Sequence, residues 1–125
     1  MCLDTVTRII KVTKPRRYYK VFGEDAGELR GDLRAGRYKA KKWYRGKNGN
    51  YTDNRPLETV KGAQYPAGFH AWRTLKGAKA WALSFQVVYE VELRGALTFG
   101  WQRASFRAVH PAVCGSEMRI IRRVE

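Results

Sequence analysis

The stretch Tyr65–Arg94, YPAGFHAWRTLKGAKAWALSFQVVYEVELR, reads as turn, short strand, helix and strand, and it sets the architecture of the chain. Pro66 and Gly68 mark the turn, and Phe69–Trp72 alternates large and small side chains as a half-buried strand does. Thr74 is placed to cap a helix over Thr74–Leu83. Leu75, Ala78 and Ala82 recur there at i, i+3 and i+7, leaving Lys76 and Lys79 on the wet face. From Val87 the period becomes two, with Val87, Tyr89, Val91 and Leu93 on one face and Glu90, Glu92 and Arg94 on the other. The expected fold is α+β: a twisted, mainly antiparallel sheet, or two small sheets, with one main helix packed on it.

Working outward, Thr5–Val12 is β-rich and Pro15 is expected to end it, while Arg17–Phe22 is a better strand, rich in aromatic and β-branched residues. Leu29–Arg34 fits either one helical turn or a loop. Tyr38–Tyr44 alternates Tyr38, Ala40, Lys42 and Tyr44 against Lys39, Lys41 and Trp43, as an exposed strand with a basic face would. Arg45–Gln64 is rich in Gly, Asn and Asp and reads as a long loop. Leu97–Trp101 and Met118–Val124 read as two further strands, the second announced by Gly115 and Ser116, and Arg103–Val113 is ambiguous.

A chain of 125 residues is expected to form one domain spanning 1–125 and to bury a core without metal or disulfide staples. No apolar run approaches the length of a transmembrane helix, and MCLDTVTRII lacks the plan of a signal peptide, so no membrane partner and a cytoplasmic location are expected. Cys2 and Cys114 then read as free thiols. They lack C-x-x-C spacing, and with two separated histidines they make no zinc site. Were Met1 removed, Cys2 would open the chain as an N-terminal nucleophile can, but nothing downstream supports that chemistry.

Charge is the second strong signal. Lysine and arginine number 25 against 11 acidic residues, a net charge of +14, and such a field attracts polyanions. Between Lys14 and Lys47 twelve basic residues face four acids, so over half of the net charge lies in that segment. Arg119, Arg122 and Arg123 form a second cluster. Tyr18, Tyr19, Tyr38, Trp43, Tyr44 and Tyr51 are interleaved with the basic segment. That mixture suits RNA, single-stranded DNA or a nucleotide, because cations hold phosphate and flat rings stack on bases. The candidate contacts are Arg17, Lys20, Arg37, Lys39, Lys41, Lys42, Trp43, Arg45, Lys47 and Tyr51. Half of the rings alternate inward on their strands, so the same residues also fit a core. His70, just before a helix N-terminus, suits either an anion contact or a hydrogen-bonded structural role.

MCL at the start, YYKVF, YPAGFHAW followed by a helix, and the late SEMRII together resemble a group of small uncharacterised proteins of bacteriophages and mobile elements. The likeness spans most of the chain, but its motifs are structural and imply no known activity; the expected setting is a phage-type protein in a bacterial host, acting against a defence or nucleic-acid-processing complex. More distantly, the order of parts is similar to ADP-ribosyltransferase-like domains. The matching parts are a strand with a basic residue near Tyr18, a G-F-aromatic strand leading through Thr74 into a helix, the strand VVYEVEL, and a late strand opening with Glu117. The second resemblance implies that Arg17, His70 and Thr74 would hold NAD and that Glu117, with His70, would be catalytic. HAWRT stands where such domains carry Ser-Thr-Ser or Tyr, and Glu117 stands alone where they carry a pair. The favoured expectation is a non-enzymatic, polyanion-binding protein that needs no cofactor. The alternatives are the NAD-dependent transferase and a protein-only inhibitor docking on an acidic host surface.

Overall fold

Period-two alternation is clearest at Val87–Leu93, and the computed structural model is mostly antiparallel sheet with one helix packed on it. It describes residues 3, 5–25, 28–31, 37–45, 50–52, 64–66, 68–104 and 108–124. In chain order the elements are β1 (Thr5–Asp25), β2 (Glu28–Gly31), β3 (Arg37–Tyr38), β4 (Trp43–Arg45), β5 (Asn50–Thr52), β6 (Gln64–Pro66), β7 (Phe69–Trp72), α1 (Leu75–Trp81), β8 (Val87–Arg103) and β9 (Val109–Arg123). Strands β5 and β6 pair only with each other, and the other seven form one sheet.

Three strands are longer than their sequences suggest, and in each case a local irregularity hides the continuity. Pro15 does not end β1; it sits where the β1–β8 register slips between Val12 and Arg16, a place where its missing N–H removes no ladder bond. Leu97–Trp101 is not separate from Val87–Arg94. Gly95, at φ 86°, carries β8 through a bulge into it. Ser116 secures that bulge, its Oγ accepting from Ala96 N at 3.0 Å and donating to Arg94 O at 3.3 Å. Gly115 and Ser116 therefore lie inside β9, and the ambiguous stretch supplies the end of β8 and the start of β9.

Two further expectations are corrected. Glu28–Gly31 is a strand, pairing with the end of β1 rather than forming a helical turn or loop. Tyr38–Tyr44 is not one strand but β3, a turn at Ala40 and Lys41, and β4. Lys41 is left-handed there, at φ 65°, and its N–H donates to Ile120 O at 2.8 Å, which holds the turn against β9.

The bends let the sheet close on itself. β1 pairs with β8, β8 with β9, β9 with β7, and β7 with β1 through Tyr19 opposite Trp72. How sharply the strands turn is clear from Phe99, whose register partner on β1 is Arg8 but whose ring meets Tyr18, 6.3 Å between centroids. Ten residues of straight strand would separate those rings by about 33 Å. Tyr18, Phe22, Ala71, Val91, Leu93, Leu97, Phe99, Val113, Met118 and Ile120, drawn from all four strands of the ring, fill its interior. A second cluster, with Val21, Trp72, Val88, Ala112 and Cys114, joins the sheet to Ala78 of α1. The helix is capped as expected by Thr74, whose Oγ1 accepts from Gly77 N at 3.1 Å, and it ends at Ala82. No helix among the described residues is long and apolar enough to cross a membrane.

Candidate nucleic-acid interface

Glu90, Glu92 and Arg94 do point away from the interior, and the strands on either side of β8 answer each of them with an opposite charge. Arg17 of β1 donates to Glu90 Oε1 at 2.7 Å, and Arg122 of β9 donates to Glu90 Oε2 at 3.2 Å. Arg119 reaches Glu92 Oε1 through both Nε, at 2.9 Å, and Nη2. Arg94 meets Glu117 at 3.4 Å. This ladder follows from register: Glu90 lies opposite Arg122, Glu92 opposite Arg119, and Arg94 opposite Glu117. Cross-strand neighbours on one face stand close enough for such pairs to form without long side-chain excursions.

Trp43 extends the ladder to the fourth strand. It lies opposite Arg119 on β4, and alternation turns it to the ladder face while Tyr44 turns inward against Tyr38. The Arg94 guanidinium sits 3.7 Å from the centre of the Trp43 ring and that of Arg119 4.8 Å, both within cation–π range. Trp43 is half-buried, so part of its ring stays at the surface.

The expected basic cluster borders this ring. Lys39, Lys41, Lys42 and Arg45 are all exposed, carried by the turn into β4 and by β4 itself. Lys39 N donates to Tyr44 Oη at 2.8 Å, and the Lys42 ammonium lies 5.6 Å from the Tyr44 ring centre. Together with the Lys41 anchor, these contacts give the cations a defined backbone to project from. No acidic side chain lies among them in the sequence between Tyr38 and Lys47.

Other expected site residues fall elsewhere. Lys20 is half-buried and donates from Nζ to His70 O, fastening β1 to β7 beside the Phe22 ring. His70 stands opposite Cys114 on β9, and Cys114 is a buried thiol in no disulfide. Thr74 caps α1. Arg17 is bonded to Glu90, whereas Glu117 is bonded to Arg94 and stands inside β9 rather than at the start of a strand. Arg37 and Tyr51 are placed by backbone alone, opposite Arg30 and Tyr65, and Lys47 and Cys2 lie outside the described residues. Among the described residues no group of three or more His, Cys, Asp or Glu is positioned to hold a metal ion.

Sequence reasoning missed Glu90, Glu92, Arg94, Arg119 and Arg122 as parts of this face. The signal for half of it was present, since the alternation of Val87–Arg94 already set the two glutamates and Arg94 on one side. The partner strand was not readable, because register between distant segments leaves no local mark. No family model, curated protein or solved structure matches the chain.

Proposed function

We propose that this protein is a non-enzymatic polyanion-binding protein that takes RNA, single-stranded DNA or a nucleotide on the surface formed by Lys39, Lys41, Lys42, Arg45 and the edge of Trp43. The observation that carries the reading is the exposure of four cations around one anchored turn, beside a half-buried indole. Lys39, Lys41 and Lys42 have no carboxylate partner among the described residues, which keeps their charge available to phosphate, while Arg45 lies opposite Glu117, itself bonded to Arg94. In the ladder, by contrast, each arginine already has a carboxylate. A net charge of +14 adds a long-range field that speeds encounter with any polyanion. The phage-type setting, cytoplasmic in a bacterial host and directed at a defence or nucleic-acid-processing complex, rests on the sequence resemblance.

The transferase reading draws less support, because it needs Glu117 and Arg17 on one cofactor and their side chains are bonded to different partners. Binding of a labelled short single strand across a salt series tests the preferred reading. Affinity is expected to fall steeply as salt rises, since each phosphate neutralised releases counterions. Reversing the charges of Lys39, Lys41, Lys42 and Arg45 together should weaken binding more than reversing four basic residues elsewhere. Equal, small losses at both sets would reduce the charge to a solvated surface.

A further inference from the structure

Phe99 belongs to the interior cluster and is 1 % exposed, yet two guanidinium groups lie at its aromatic ring: Arg8 at 4.8 Å and Arg73 at 4.9 Å from the centre. Both arginines are exposed, and among the described residues neither has a carboxylate partner. Both lie within cation–π range of Phe99, an interaction that does not use up their N–H donors. Two residues further along the same face of β8, about 7 Å away by strand geometry, stands Trp101. Its exposure of 45 % is large for a tryptophan. Pro111 lies opposite Trp101 on β9 and Val109 opposite Arg103, so the indole is bordered by apolar residues and by further positive charge. Val109 is itself 50 % exposed.

A solvated surface has no reason to combine these features. Exposing a large indole forgoes its burial, and two arginines beside it without a carboxylate partner among the described residues repel one another. An occupant with a flat apolar face and adjacent negative charge removes both costs. An unstacked nucleotide in a single strand has that composition, and duplex DNA does not, because its bases are stacked inside.

Resting on the polyanion reading above, we propose that this strip is a second, base-contacting part of the interface, in which Trp101 stacks on a base of a single strand and Arg8 and Arg73 bind its flanking phosphates. The ladder face and the Phe99 face are opposite sides of β8, so the two parts of the interface lie on different faces of the sheet.

The test compares short oligothymidylate and oligouridylate with heparin, a polyanion without bases. Trp101→Ala should lower oligonucleotide affinity by about tenfold or more and leave heparin affinity unchanged. Replacing both Arg8 and Arg73 by Ala should weaken both ligands and reduce the salt slope by about two. Tryptophan emission should be quenched on adding oligonucleotide, and Trp101→Phe, which keeps an aromatic ring and the fold, should reduce that quenching to what the edge of Trp43 contributes. If heparin and oligonucleotide still bind in a salt-dependent way while quenching survives undiminished in Trp101→Phe, the base-contacting site is wrong and the polyanion reading stands. If neither ligand binds at low salt, both fail together.

Discussion

Glu90 is the residue on which the outer face depends most. Its side chain is 7 % exposed, while those of its partners Arg17 and Arg122 are 63 % and 66 % exposed, so one buried carboxylate is answered by two guanidiniums that remain in water. Exposed arginines lose little when the acid is neutralised, but a buried carboxylate without a partner is costly. The consequences of mutation are therefore asymmetric. Arg17→Ala combined with Arg122→Ala should destabilise the fold by about 3 kcal/mol, whereas Glu90→Gln should cost about 1 kcal/mol. Urea unfolding of the two variants checks the order, and a more damaging Glu90→Gln would show that the arginines are held by something other than this pair.

At the scale of elements, the bends of β1 and β8 matter more than their lengths. Val12 lies opposite Gly95, so the irregularities of the two strands coincide and form one corner of the closed sheet. A Cβ on Gly95 would come 2.1 Å from Ser116 Oγ, and the φ of 86° is one that a residue with a side chain rarely adopts. Gly95→Ala is expected to cost about 1–3 kcal/mol. Removing the hydroxyl with Ser116→Ala relieves the contact but not the dihedral, so Gly95→Ala should remain destabilising in that background. Chemical denaturation of the single and double variants separates the two causes. The helix is a contrasting case. Seven residues are too few to be helical alone, and α1 is maintained by the Thr74 cap and by Ala78, which is fully buried against the sheet.

For the whole molecule, closure means that distant segments must meet before most of the core can form. Arg17 and Glu90 are 73 positions apart in the chain, and the β1–β8 ladder that joins them is among the longest in the sheet. Topologies dominated by such pairings fold in roughly milliseconds to seconds. Stopped-flow refolding should accordingly give a slow main phase, and a microsecond relaxation would contradict the closed arrangement. Closure also explains which expectations about the site could be read early. The exposed cations at Lys39, Lys41, Lys42 and Arg45 needed only a polar turn, but the guanidiniums over Trp43 needed β4 to lie beside β9.

Local spacing by itself determined the Thr74 cap, the face of α1 that carries Lys76 and Lys79, the two faces of Val87–Leu93 and the excess of positive charge. Each of these is settled by residues within a turn or two of one another. Tertiary structure decided the rest: that Pro15 and Gly95 bend strands instead of ending them, that Glu90, Glu92 and Glu117 pair with four arginines, and that Arg8 and Arg73 meet at Phe99. The physical reason is that a bulge and a strand end look alike in sequence, both being marked by proline or glycine. Only the pairing of segments far apart in the chain, driven by burial of the shared interior, distinguishes one from the other.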